Sequence, residues 1–277
     1  MKRNESVLIT GASSGIGFVT ANYLCQLGYQ VFAGIRTSSN EVKFEDGIVP
    51  VTLDVTDEKS VTTAFRIIRN TTSAGLGAVV CNAGLPQAGP MEHLNLQRFN
   101  DLLDVNVLGN IRIIQASIPL LRSQSGTIIF IGSISGRISL PFQGAYSASK
   151  FALEAITDAL RVELRPWNIP VTIIEPGNVK TKIRTRALSN IEADLTALTP
   201  QHRLLYEPIY RFALNHASRK SAEPIAVAKL VERILRSNKI KPRYLLGKDA
   251  ILLHLISRLP TAWRDRIISS KLPEYGN

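Results

Sequence analysis

The stretch Thr10-Gly11-Ala12-Ser13-Ser14-Gly15-Ile16-Gly17 separates an apolar run at 7–10 from a helical pattern at 16–27. Glycines let a backbone turn tightly and approach a ligand closely. A helix start offers unpaired N–H groups and the positive end of a dipole. In a strand–turn–helix setting these features make a cradle for a pyrophosphate, so the turn points to a dinucleotide site. The spacing is G-x-x-x-G-x-G instead of the common G-x-G-x-x-G, and its context gives it weight.

Outward from this turn, short runs rich in Val and Ile stand at 7–10, 30–35, 49–53, 78–81, 127–131 and 171–175. Continuous apolar runs of this length suit strands buried on both faces. Helical patterns lie between them at 16–27, 58–71, 96–122 and 145–165, and 244–247 reads as a last strand. Strands alternating with helices imply right-handed crossovers. The expected fold is α/β: a doubly wound (Rossmann) parallel sheet with helices on both faces.

A length of 277 residues fits one large domain or two small ones, and the unbroken alternation favours a single Rossmann-fold domain over 1–277. Segment 178–220 breaks the rhythm, carries Pro200 and Pro208, and follows a strand end. A long insert there reads as a substrate-binding lid. Segment 249–277 reads as a C-terminal helical extension of two short helices divided by Pro260.

Net charge is +11, and its distribution is uneven. Residues 1–179 hold 14 basic and 14 acidic side chains, whereas 180–277 hold 19 and 8. Such an excess marks a diffuse basic surface or an anionic partner, such as a membrane surface. No nucleic-acid-binding motif accompanies it. Cys25 and Cys81 cannot make a disulfide framework and read as buried thiols of a reducing compartment. The four histidines, His93, His202, His216 and His254, show no metal-ligand spacing, so no metal is expected and they read as surface or lid residues. The polar residues 1–5 do not resemble a secretory leader, and no apolar run nears the roughly 18 residues that span a bilayer. A cytoplasmic protein is expected, with the basic C-terminal region as the place for any peripheral membrane contact.

At the end of the second strand, an acid would bind both ribose hydroxyls and select NAD. Ile35 stands there instead, followed by Arg36. A guanidinium binds a 2′-phosphate in fork geometry, so NADP(H) is expected. A solvated strand-end charge is the alternative.

Tyr146-Ser147-Ala148-Ser149-Lys150 opens a helical run. Positions i and i+4 share a helix face, about 6 Å apart along the axis. A nearby ammonium favours the phenolate and lowers a tyrosine pKa from about 10. A lowering of about two or three units would suit Tyr146 to acid–base work near neutrality. Ser133 follows the strand 127–131, at the strand end where open parallel sheets bind ligands. Asn106 is polar within an apolar stretch, where a local hydrogen bond to backbone is its plainest use.

These segments together resemble the short-chain dehydrogenases/reductases. The resemblance rests on T-G-x-x-x-G-x-G at 10–17, Asp54-Val55, Asn82-Ala83-Gly84, the set Asn106, Ser133, Tyr146 and Lys150, and Pro176-Gly177 with Thr181. Cys81 departs from the asparagine that many relatives carry before N-A-G. The resemblance implies a catalytic set of Asn106, Ser133, Tyr146 and Lys150. It implies coenzyme contacts from Thr10, Gly11, Ser13, Ser14, Gly15, Ile16, Gly17, Arg36, Asp54, Val55, Asn82, Ala83, Gly84, Tyr146, Lys150, Pro176, Gly177, Val179 and Thr181. Hydride would pass between nicotinamide and a carbonyl or alcohol. Tyr146 would act as acid, Ser133 would polarise the oxygen, Lys150 would hold the ribose and tune the phenol, and Asn106 would hold a relay water. A homodimer or homotetramer through 96–122 and 145–165 is also implied.

Val31-Phe32-Ala33-Gly34, the run from Ala145 to Ala155 and the run from Asp158 to Leu164 resemble the hydroxysteroid and retinol dehydrogenase branch. That branch acts on lipophilic alcohols and ketones. Apolar residues near the site (Leu85, Pro86, Ile134, Ile138, Leu140, Pro141, Phe142) and in the insert (Ile183, Leu188, Leu204, Leu205, Tyr206, Tyr210, Phe212) suit such a substrate. Segment 251–268 mixes Leu, Ile and Trp263 with Arg258, Arg264 and Arg266. It fits an anionic membrane surface or a helical flap or subunit interface. Three other readings stand beside the reductase: a dinucleotide-sensing regulator without catalysis, NAD-dependent alcohol oxidation at the same site, and a basic binding protein.

Overall fold

Seven apolar runs pair in the computed structural model into one parallel sheet of order β3-β2-β1-β4-β5-β6-β7. The structure describes residues 6–37, 42–181, 195, 196, 198–217 and 221–272. The strands are β1 (Ser6–Thr10), β2 (Gln30–Ile35), β3 (Ile48–Thr52), β4 (Ala78–Cys81), β5 (Thr127–Ile131), β6 (Val171–Pro176) and β7 (Arg243–Leu246). Every residue of β1, β4, β5 and β6 is buried, as strands covered on both faces must be. The expected last strand is present and pairs with β6 through Ile174 and Tyr244.

Helices cover both faces. On one, α1 (Gly15–Gln26) and α7 (Pro224–Leu235) pack Leu24, Val227, Val231 and Ile234 against Val7, Ile9, Val80 and Ile129. On the other, α2 (Glu58–Thr71), α4 (Gly109–Arg122) and α5 (Gly144–Glu163) pack Phe65, Ile68, Ile113 and Leu153 against Leu8, Phe32, Val79 and Phe130. Each fully buried large side chain of this kind stabilises the fold by about 1.5–3 kcal/mol before entropy is counted.

Three departures from expectation follow from physics that pattern alone does not reveal. The segment 96–122 is not one helix. It divides into α3 (Leu96–Leu103), a π-helical turn (Asp104–Leu108) and α4. The region after the lid insert contains α7, whose apolar stripe is consumed by α1. Within the insert, α6 (Pro200–Ala217) is helical, and Val179 bridges to Ala222. Of the apolar lining expected from the insert, Ile183 and Leu188 lie outside the described residues. The two C-terminal helices are α8 (Lys248–Ser257) and α9 (Thr261–Ser269).

Strand order reverses between β1 and β4. In an open parallel sheet, ligands bind at such a switch point, beyond the carboxyl ends of the strands. The glycine turn follows β1, Asn82-Ala83-Gly84 follows β4, Ser133 follows β5 and Gly177 closes β6. The fold thus brings the motifs to one edge.

Candidate active site

The glycine turn is built for close approach. Gly11 and Gly15 have φ of +64° and +59°, which side chains rarely adopt. A Cβ at Gly17 would lie 2.5 Å from both Asn82 Nδ2 and the Gly11 carbonyl oxygen. Asn82 braces the turn by donating from Nδ2 to the carbonyls of Thr10 and Gly11 at 2.9 and 3.1 Å. The Thr10 hydroxyl oxygen accepts from the backbone N–H groups of Asn82 and Ala83, each at 3.0 Å. Ser14 caps α1 without a side-chain hydrogen bond, and the first turn of the helix has no acidic residue. Its N–H groups and dipole therefore face Ser13–Gly15 uncompensated, which fits an anionic pyrophosphate. Thr181 packs against the position of Gly15, 3.4 Å from where a Cβ would sit.

Residues from the next two strand ends could hold the adenosine end of a dinucleotide. Ile35 is buried and Arg36 exposed at the end of β2. Burial works to raise the Asp54 pKa, but hydrogen bonds from Thr56 and the Arg36 charge outweigh it and hold the carboxyl below its usual range. Its Oδ1 accepts from the Thr56 N–H at 2.9 Å and the Thr56 hydroxyl at 2.7 Å. Val55 is buried against Gly109.

The Pro176-Gly177 turn is held by a residue that the sequence did not single out. Asp249, from the start of α8, accepts from the Asn178 N–H at 2.6 Å and packs its carboxylate on Gly177, leaving no room for a Cβ. The signal is non-local and is invisible in spacing.

The remaining four residues converge from three elements. Lys150 is buried on α5 and donates from Nζ to the Ile131 carbonyl at the end of β5, at 3.0 Å. The same Nζ lies 5.6 Å from the centre of the Tyr146 ring. Ser133 follows β5 and accepts from the Ser135 N–H at 3.1 Å, and its side chain is near enough to the Tyr146 phenol to favour its ionised form. Asn106 lies in the π-helical turn and is fully buried. Its Oδ1 accepts from the Leu85 N–H at 2.7 Å, and its Nδ2 donates to the Leu85 carbonyl and the Ser149 hydroxyl at 3.1 and 3.0 Å. Asn106 therefore ties the segment after Asn82-Ala83-Gly84 to α5, a longer reach than the local backbone bond considered from sequence.

The electrostatics correct one expectation. Burial pushes the Tyr146 phenol up to about 12, and the Ser133 side chain only partly offsets it. Burial pulls Lys150 down to about 8. The expected lowering of the phenol by its ammonium neighbour is therefore not found, because desolvation is larger than the other influences on both groups.

Below the site, Arg137 donates to Glu175 at 2.8 Å and pairs with Glu154 at 3.3 Å, while Arg243 donates to Glu154 at 2.9 Å. This partly buried network anchors the turn Ile134–Gly136 that follows Ser133. Ile134 and Ile138, expected to line a substrate pocket, are instead buried with Ala250 of α8. Phe142 and the buried Tyr210 do face one another, with ring centres 6.5 Å apart. Cys81 is buried and its thiol is pushed up. Cys25 is only half-buried, contrary to expectation.

Comparison with known proteins bears on the family and the fold. Residues 5–192 match the family model described as short chain dehydrogenase. The "Probable short-chain type dehydrogenase/reductase VdlC" of Helicobacter pylori is 34% identical, over 94% of this chain and 95% of its own. Retinol dehydrogenase 16 of Mus musculus is 33% identical over 96% of this chain and 88% of its own. Human 17-beta-hydroxysteroid dehydrogenase type 1 is 34% identical over 86% and 76%. The fold matches a short-chain dehydrogenase from Streptomyces avermitilis with a TM-score of 0.76, at 24% identity, over 96% of this chain and 94% of that one. Sheet, glycine turn and relatives together identify the chain as a member of the short-chain dehydrogenase/reductase family, nicotinamide-dependent oxidoreductases, in the branch resembling retinol and hydroxysteroid dehydrogenases.

Proposed function

We propose that this chain is an NADPH-dependent reductase of lipophilic ketones or aldehydes, able to run in reverse on secondary alcohols. The observation that carries the reading is Tyr146, beside Ser133 and with the Lys150 Nζ 5.6 Å from its ring centre, at the carboxyl ends of the strands. A bound nicotinamide supplies the hydride. At neutral pH the phenol, at about 12, carries its proton, as a general acid must. Tyr146 gives that proton to the carbonyl oxygen as negative charge grows there. Ser133 donates a hydrogen bond to the same oxygen, a small preorganised site for the developing alkoxide. Lys150 presents its ammonium near the phenol and would hold the ribose hydroxyls of a bound coenzyme. Asn106 fixes the loop at Leu85 against α5, which keeps the tyrosine and lysine in register and supports the relay water expected from the resemblance.

The absence of an acid at Ile35 and the presence of Arg36 support the 2′-phosphate of NADP(H). The apolar pair Phe142 and Tyr210, and the resemblance to a retinol dehydrogenase, support a bulky apolar substrate. The test is coenzyme oxidation with retinaldehyde, steroid ketones, aliphatic ketones and quinones, each with NADPH and NADH. Turnover of a lipophilic carbonyl with NADPH supports the reading. Exclusive use of NADH, or of polar sugars, contradicts it, and coenzyme binding with no turnover favours a silent sensor.

A second reading concerns the surface. Ile251, Leu252, Leu255, Trp263 and Ile267 are exposed on α8 and α9 beside Arg258, Arg264 and Arg266. Among the described residues no helix is long and apolar enough to cross a membrane. Such a face suits peripheral contact with an anionic membrane. Cosedimentation with anionic but not neutral vesicles, lost in Leu255→Glu/Trp263→Glu protein, is the expected result. Leu108, Phe151 and Val162 are exposed on and beside α4 and α5, which supports pairing of two or four copies there, measurable by light scattering.

A further inference from the structure

We propose that Glu92, His93 and His202 form a binding site for Zn²⁺ that ties helix α6 to the turn at the rim of the catalytic cleft. The three side chains come from two elements far apart in sequence. Glu92 and His93 sit on the short helical turn Met91–His93, and His202 lies in the first turn of α6. One ligand atom from each lies within 4.8 Å of the others. Ligands of a tetrahedral zinc site lie about 3.3 Å apart, given bonds of about 2.0–2.1 Å. Small side-chain rotations therefore close the set.

Two further observations point to a ligand. The buried Nε2 of His93 makes no hydrogen bond. A buried ring nitrogen left unpaired costs free energy, and an ion is one of the few partners that removes the cost. The imidazoles of His93 and His202 also lie close together, with ring centres 4.6 Å apart. Neutral imidazoles can share a cation at such a distance.

The surroundings orient the ligands. Tyr206 stands one turn after His202, so the two share a face of α6. Its hydroxyl hydrogen bonds to the Glu92 carboxylate, and its ring meets His93 edge to face with centres 5.1 Å apart. Partners that fix a ligand's direction are a normal part of metal sites. The backbone N–H of His93 donates to the Pro90 carbonyl at 3.2 Å, which shapes the turn that carries the ring.

The donor set selects the metal. Two imidazole nitrogens and one carboxylate match the His₂Glu set that zinc takes with one position left open. Magnesium and calcium prefer all-oxygen shells. Co²⁺ accepts the same geometry and serves as a visible probe.

The place of the cluster gives it a consequence. Met91 packs on Gly144, two residues before Tyr146, and the Gly89 N–H donates to the Phe142 carbonyl at 2.8 Å. Phe142 in turn faces Tyr210 of α6. A metal held by Glu92, His93 and His202 would lock α6 against this rim and slow exchange of substrate and product.

The test uses full-length, tag-free protein and Co²⁺ or Zn²⁺ alone. Wild type should bind one Co²⁺ per chain with the visible absorption of a tetrahedral ion, displaced by Zn²⁺. His93→Gln and His202→Gln should each weaken binding about tenfold or more, while Cys25→Ser leaves it unchanged. Retained NADPH binding by the two histidine variants shows that they fold. Zn²⁺ should also slow turnover of wild type more than that of His202→Gln. Absence of stoichiometric binding, binding that survives both histidine substitutions, or binding lost in Cys25→Ser overturns the proposal. None of these metal titrations depends on which carbonyl compound the enzyme reduces.

Discussion

Replacing Lys150 with Met removes a buried ammonium and leaves an unbranched stem in its place. Burial holds the Lys150 pKa at about 8, against 10.5 in the unfolded chain. Each unit is worth about 1.4 kcal/mol, so the charged side chain costs the fold about 3 kcal/mol below that value. The substitution also strips the Ile131 carbonyl of its donor at 3.0 Å, which returns about 1 kcal/mol. The ligand-free Lys150→Met protein should therefore be more stable by about 2 kcal/mol near neutral pH. From about pH 8 to 10.5 the unfolded chain still binds the proton that the folded chain has released. Wild-type stability thus rises with pH across that window, by up to about 1.4 kcal/mol per unit. The variant lacks that rise, and its advantage vanishes towards the upper end. Tyr146 acts oppositely, since its phenol at about 12 lowers stability as pH climbs above 10, but it does so in both proteins. Urea unfolding of both proteins across this range is the assay. Lower stability of Lys150→Met at neutral pH, or a difference independent of pH, would refute the reasoning. The same protein should turn over poorly, since function here is maintained at the expense of stability.

Arg36→Glu should lower the efficiency with NADPH about tenfold or more relative to NADH, since a charge-assisted hydrogen bond is worth about 1.5–3 kcal/mol; an unchanged ratio of kcat/KM contradicts the coenzyme assignment. Asn106→Ala leaves the Leu85 N–H and carbonyl without partners. It should cost about 2–4 kcal/mol in urea unfolding, and a change below about 0.5 kcal/mol would be that of an ordinary surface site. Gly17→Ala places a Cβ against a backbone oxygen at 2.5 Å, so the turn must shift; NADPH titration by fluorescence should show much weaker binding, and wild-type affinity would contradict the cradle.

What the sequence made legible was local. The glycine turn, the i, i+4 pair of Tyr146 and Lys150, and the alternation of strands and helices are each written in neighbouring residues, and each appears as expected. Helix α7 is also legible, since Val227, Val231 and Ile234 recur at helical spacing behind Pro224. The division of 96–122 at Asp104–Leu108 was not readable, because a single wider turn barely alters a 3.6-residue period. Contacts between distant segments were invisible for a different reason. Asp249 on Gly177, and His202 beside His93, depend on how the C-terminal third folds back on the sheet. The direction of the Tyr146 pKa shift is not legible, because an i+4 lysine is visible in sequence whereas burial is not.

The most direct measurement is single-turnover oxidation of NADPH with retinaldehyde, comparing wild type with Tyr146→Phe and measuring coenzyme affinity beside it. The expected result is a fall of about 10²–10⁴-fold in the hydride-transfer rate, the usual worth of a positioned general acid, with NADPH binding retained. A Tyr146→Phe protein that transfers hydride as fast as wild type would contradict the assignment of the phenol as proton donor.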